Sequence, residues 1–369
     1  MKVTEVRVYG KTLPKVGDYS MSSARVGDPD STIVEVVTDT DHVGWGEVCM
    51  TGPMAQVSHA ASVRADLTLA APRLVGLDPR QIGVVWQAMT AAIYGGVAAK
   101  SALDIACWDL LGKATDLRVC DLLGGPLSDP VPTYHVIGIG TPEEAAVEAI
   151  RLQDAGHTKL QLKAGGRRVE ADIAAAHAVA DVVRPGTDWS VDTNMGWTTD
   201  QAIRFSNACR GLAFAMEQPC ATYADLEAIK PSISHPLLLD ESATDLATIS
   251  RAIGSGLANG FGMKLTRIGG ISAMRAVRDL CLATRVPTSF DDSWGGDIIS
   301  AACNHVGSTM DPRYSRGAWT SAGYQQGHYD DVNGVRIIDG MVPIPAGGPG
   351  LGIAIPEGCF GEPLAVYAS

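Results

Sequence analysis

The chain has 369 residues, 46% of them hydrophobic, with a formal net charge of −12 from 41 acidic and 29 basic residues. That length and apolar content suit one barrel-sized domain plus a smaller second one and exclude a disordered chain. The acidic balance, with no basic run, excludes nucleic acid and other polyanions as partners. The first nine residues, Met1 to Tyr9, alternate like a strand and lack the apolar core of a signal peptide. Further strands are expected at 32–37 and 43–47, and the polar, glycine-containing segment 17–30 is a candidate mobile loop. From about residue 57 to 123 the pattern turns helical. It ends in segment 98–113, where apolar positions 102, 103, 106, 107, 110 and 111 predict the single stripe of a packed helix.

Beyond Gly124-Gly-Pro126 the rhythm becomes strand, loop, helix, repeated. Strands are expected to start near Val131, Lys159, Trp189, Leu212, Leu237, Gly260, Val286 and Gly317, with alanine-rich amphipathic segments such as 142–155 and 170–183 between them. About eight βα units over roughly 200 residues predict an α/β chain built on a (β/α)8-type TIM barrel, and no Gly-x-Gly-x-x-Gly follows a first strand. From about Asn333 strand and turn chemistry returns, so the tail is expected to close back onto the first domain. Apolar stretches are broken well short of a membrane span. The eight cysteines lie scattered, mostly in apolar runs, without a Cys-x-x-Cys pair. They read as reduced thiols of a cytoplasmic protein.

Three acids each stand one position after a short apolar run: Trp189-Ser-Val-Asp192, Phe214-Ala-Met-Glu217 and Leu237-Leu-Leu-Asp240. An acid just after a strand often caps the next helix. Three at the same point of consecutive repeats instead predict an all-oxygen cage for a hard divalent cation, Mg²⁺ first and Mn²⁺ as an alternative. Asn194, Glu241 and Asp291 or Asp292 are expected to support that cage from outside. Lys163 shares a strand face with Gln161 and Lys159, directed to the barrel interior, and Lys264 ends a later strand. An interior lysine implies either a structural ion pair or a role in proton transfer, and a lysine base needs a pKa pulled below its ordinary 10.4 by burial and a nearby cation. A cation between two amines is the arrangement of an enzyme that moves protons.

The spacing Asp192, Glu217, Asp240, the Lys163 strand, Lys264 and the helix at 99–113 together resemble the enolase superfamily, muconate-lactonizing-enzyme subgroup. The resemblance implies an N-terminal α+β capping domain (1–125), a modified barrel (126–332) and a C-terminal segment returning to the cap (333–369). It also implies Mg²⁺ binding a substrate carboxylate while Lys163 and Lys264 move its α-proton through an enediolate. The subgroup usually has Lys-x-Lys on the second barrel strand, and here the first lysine is Gln161. Trp319 would stand at the eighth strand's end, where an aromatic face can hold an ammonium group or simply pack the core.

Gln161, Trp319 and the run Phe290-Asp-Asp-Ser-Trp-Gly-Gly-Asp297 are similar to the subfamily that racemises or epimerises proline betaine and hydroxyproline betaines. A cis-3-hydroxy-L-proline dehydratase is among its relatives. The implied partner is a small zwitterionic carboxylate contacted by Gln161, Trp319, Asp292 and the position of Ala55, in a homo-oligomer without nucleic acid or membrane. The betaine epimerases carry a tyrosine where this chain has Ala55 in Gly52-Pro-Met-Ala-Gln56, which opens the way to an unmethylated imino acid or to a different cage around the ammonium. The leading expectation is therefore a racemase or 2-epimerase. Alternatives are a dehydratase using the same enediolate, a Schiff-base lyase and a non-catalytic homologue. His135 and His305 are given no catalytic role.

Overall fold

A computed structural model describes residues 1–17, 27–50 and 58–368. Ala55 and most of the candidate loop at 17–30 lie outside the described residues. The first domain is an antiparallel sheet of β1 (Val3–Thr12), β2 (Asp30–Thr38) and β3 (Val43–Met50). The helix Val97–Thr115 lies directly on it. Two glycines of β3 permit that approach: a Cβ at Gly46 would stand 1.9 Å from the Ala102 carbonyl oxygen, and one at Gly44 2.3 Å from that of Ala106. The opposite side of the helix meets the barrel, where the Trp108 indole donates to Ser272 Oγ at 2.9 Å and Ser101 Oγ to the Leu265 carbonyl at 3.2 Å. Residues 98–110 are consequently all buried, in place of the single stripe expected. Covered on two sides, the helix has no solvent face along this stretch: Ala102 and Ala106 meet the β3 glycines, and Ser101 and Trp108 meet the barrel.

The second domain carries β4 (Val131–Pro132), β5 (His135–Ile137), β6 (Lys159–Lys163), β7 (Asp188–Asp192), β8 (Ala215–Glu217), β9 (Leu237–Leu239), β10 (Gly260–Lys264) and β11 (Thr288–Asp291). From β5 to β11 they form one parallel sheet in sequence order, curled around a shared core. The strands expected from Leu212 and Val286 thus begin at Ala215 and Thr288. Near Gly317 no regular strand forms. An extended run lies between β11 and β4 instead: Arg316 N–H donates to the Thr288 carbonyl (2.9 Å), Phe290 N–H to that of Gly317 (3.0 Å), and Ala318 N–H to that of Pro132 (3.0 Å). Gly317 has a φ of 97° and its missing Cβ would strike the Pro132 carbonyl oxygen at 2.4 Å, so the chain kinks there and the ladder breaks. After β12 (Met341–Val342), which pairs with β4, the tail ends in β13 (Ala365–Ala368), antiparallel to β1. Among the described residues no helix is long and apolar enough to cross a membrane.

Candidate active site

The helices that follow β7, β8 and β9 are capped by Thr198, Thr222 and Asp245, whose side chains accept from the backbone of Gln201, Asp225 and Thr248. Asp192, Glu217 and Asp240 are therefore not helix caps. Strand register places Lys163 beside Asp192 and Asp192 beside Glu217, while Glu217 pairs with Leu238, two residues before Asp240. Lys264 closes the series at the end of β10, level with Asp291. Read across the sheet, the order is amine, three carboxylates, amine, with Glu217 on the middle strand.

Each acid has its own partners. Lys163 Nζ pairs with Asp192 Oδ2, and Asn194, in a left-handed conformation (φ 43°), donates its backbone N–H to Asp192 Oδ1 at 2.8 Å. Asparagine tolerates that conformation better than most residues. Its side-chain amide reaches both Asp192 Oδ2 (3.0 Å) and Glu241 Oε1 (3.1 Å), so Asn194 links two acids. Asp240 is held by Lys264 and Arg267. Glu217 Oε2 accepts from the Gln161 amide (3.0 Å) and Ser190 Oγ (3.2 Å). Gln161 thus contacts Glu217, a role that spacing did not reveal.

The charges are unevenly met. Burial raises the Glu217 carboxyl above its ordinary range, and neighbouring Asp192 and Asp240 raise it further. Glu241 is raised for the same reasons, by burial first and then by Asp240 and Asp192, and its Oε2 is buried without a partner. Burial works to lower the Lys264 amine, but Asp240, with Glu241 and Asp291 behind it, carries it above its ordinary value. The expected depression is therefore absent while Lys264 is paired with Asp240. Nor is the cage ready-made: among the described residues no three His, Cys, Asp or Glu side chains converge as a ligand set. Asp192 and Asp240 are instead turned onto Lys163, Lys264 and Arg267. The donors are all oxygen, burial and its acidic neighbours raise Glu217, and the nearby Glu241 Oε2 is orphaned, which fits a hard divalent cation whose charge would replace the amines as partner of Asp192 and Asp240.

Asp291 accepts from Ser289 Oγ, the Tyr134 hydroxyl (3.1 Å) and the Trp319 N–H (2.8 Å), and burial pushes it up to about 6. Asp292 accepts from Thr266 Oγ1 and Ser293 N–H, and burial pushes it up to about 7. The Trp319 ring lies 5.5 Å from Tyr324 and 5.9 Å from Trp294, in an aromatic group joined by Cys49 from β3. His135 stacks on Tyr324 at 4.5 Å. His305 is structural: its Nδ1 accepts from Cys120 N–H (3.3 Å), leaving Nε2–H to donate to the Leu351 carbonyl (3.1 Å).

Three contributors escaped the sequence reading. Arg267 follows Lys264 by three residues, a spacing that a short helix after β10 turns back onto Asp240. Ser190 precedes Asp192 by two residues on the same strand face. Gln218, at φ 34°, accepts from Asp240 N–H and Ser242 N–H, both at 3.1 Å, and so ties the exits of β8 and β9 together.

Residues 3–124 match the N-terminal domain of mandelate racemase / muconate lactonizing enzyme, and residues 144–358 match the enolase C-terminal domain-like family. The chain belongs to the enolase superfamily. A cis-3-hydroxy-L-proline dehydratase from Roseibium aggregatum is 36% identical over 100% of both chains. An N-succinyl-L-Arg/Lys racemase from Bacillus cereus is 30% identical, covering 73% of this chain and 74% of its own. Among solved structures, an enolase superfamily member from Roseovarius nubinhibens complexed with magnesium superposes with a TM-score of 0.94 at 28% identity, over 100% of both chains. Superfamily relatives of this chain thus include both a dehydratase and a racemase, and the dehydratase likeness runs end to end.

Proposed function

We propose that this enolase superfamily enzyme removes the proton α to the carboxylate of a proline-type imino acid and, with a 3-hydroxylated substrate, expels the β-hydroxyl as water. The observation that carries the reading is the symmetric row Lys163, Asp192, Glu217, Asp240, Lys264, with the amines two strands to either side of β8. The full-length likeness to a cis-3-hydroxy-L-proline dehydratase moves dehydration ahead of the racemisation expected from sequence.

Asp192, Glu217 and Asp240 would hold Mg²⁺, which supplies positive charge where negative charge develops on the substrate carboxylate. Gln161 and Ser190 orient Glu217, and Asn194 bridges Asp192 and Glu241. In cis-3-hydroxy-L-proline the hydroxyl shares a ring face with the carboxylate, so the α-proton lies on the opposite face. One lysine takes that proton and the other gives a proton to the departing hydroxyl. The C2–C3 double bond that forms leaves an enamine, which tautomerises to a cyclic imine. Amines on opposite sides of the site suit that anti geometry. The same pair, exchanging a proton on both faces of Cα, favours racemisation or epimerisation as the second reading.

The test is incubation of cis-3-hydroxy-L-proline, proline and their N-methylated forms with enzyme and Mg²⁺ in ²H₂O. Mass detection of water loss from the 3-hydroxylated acid supports the dehydratase. Cα deuteration with inversion and no water loss transfers the assignment to the racemase, and the absence of both with every proline-type acid overturns the substrate class.

A further inference from the structure

Glu47, on β3 of the first domain, is fully buried at the seam with the barrel. Its Oε1 accepts from Ser31 Oγ (2.7 Å), the Tyr329 hydroxyl (2.8 Å) and the Gly296 N–H (2.8 Å), and its Oε2 from the Ile299 N–H (3.2 Å). Gly296 caps the helix Asp297–Ser308, so the carboxylate satisfies N–H groups of that helix's first turn. Packing is equally close. A Cβ at Gly296 would stand 2.2 Å from the Tyr329 ring, and one at Gly295 3.3 Å from Glu47 Oε1. Three remote parts of the chain, the sheet of the first domain, the loop after β11 and the segment around Tyr329, meet on one side chain.

An apolar residue would fill this seam without the cost of burying a carboxylate. What the carboxylate adds is direction, because four donors fix one relative placement of the parts they belong to. The loop so held carries Asp292, bonded to Thr266, and Trp294, which packs with Trp319 and with Cys49 of β3. We propose that Glu47 is a positioning residue that ties β3 to the β11 loop, so that capture of substrate depends on it while the proton steps do not. If its loss leaves this edge assembled only part of the time, the apparent substrate constant rises in inverse proportion to the assembled fraction.

Glu47→Gln preserves shape but brings an amide NH₂ among four donors. Hydrogen–deuterium exchange is expected to rise about tenfold in peptides covering 43–50 and 292–300 while β6 to β8 stay unchanged. KM is expected to rise about tenfold with kcat within about threefold. Tyr329→Phe removes one donor and is expected to act in the same direction by less; it decides the matter if Glu47→Gln does not fold. Unchanged exchange in those peptides, a uniform rise across the chain, or a fall in kcat at constant KM overturns the proposal. The kinetic arm rests on the proline-type reading and the exchange arm does not, so an enzyme inactive on such acids still tests Glu47 by exchange alone.

Discussion

Gly262→Ala isolates the carboxylate group from the rest of the barrel. Gly262 lies in β10 with φ outside the left-handed region, so alanine suits its backbone. The lost chain entropy of glycine then favours the variant by about 0.4–1 kcal/mol. Against this, the new methyl would stand 3.0 Å from Glu217 Oε1 and 3.5 Å from Asp240 Cβ. With no cation present, Glu217 can give way by a few tenths of an ångström, so the melting temperature without metal is expected to hold. With a cation bound, the oxygens of Asp192, Glu217 and Asp240 must draw together, and the methyl opposes that approach. Overpacking of this kind costs about 1–3 kcal/mol. Confined to the loaded state, it lowers Mg²⁺ affinity about 5- to 150-fold. Calorimetric titration with Mg²⁺, beside thermal melts with and without the metal, measures both quantities. An unchanged affinity, or a metal-free melting temperature that falls as far as the loaded one, would refute the reasoning.

Three further outcomes are expected. Lys163→Met and Lys264→Met each lower turnover by about 10²- to 10⁴-fold, and in dehydration only the variant that retains the base still exchanges Cα–H in ²H₂O; exchange surviving in both, or in neither, counts against an acid–base division. Chelation lowers the melting temperature, because a cation at a hundred times its Kd adds about 2.7 kcal/mol to the folded state, and a melt insensitive to chelator removes the metal from the scheme. Burial lowers the His305 imidazole from its ordinary 6.5 to about 4, so between those pH values the unfolded chain binds a proton that the folded chain refuses. Native stability is therefore lost as pH falls through that window, by about 1.4 kcal/mol per pH unit for this one group, and His305→Gln escapes the loss. Urea unfolding of both proteins from pH 7 to 4 checks it, and parallel curves would be contrary.

Sequence alone placed Asp192, Glu217 and Asp240 at strand exits, Lys163 and Lys264 beyond them, and the barrel rhythm as a whole, because these follow from local period and from repetition. It also left open whether the acids were helix caps, which only the structure decided, by showing Thr198, Thr222 and Asp245 in that role. Tertiary structure assigned Gln161 to Glu217, brought Arg267 onto Asp240, set a kinked run at Gly317 between β11 and β4 in place of a strand, and buried residues 98–110 of the helix Val97–Thr115 on all sides. It alone gathered Ser31, Gly296, Ile299 and Tyr329 around Glu47. A strand's face is set by its neighbours in the chain, within two or three residues. The partner of a buried carboxylate is set by whichever donor the folded chain brings within 3 Å, and in Glu47 and Tyr329 those partners lie 282 residues apart.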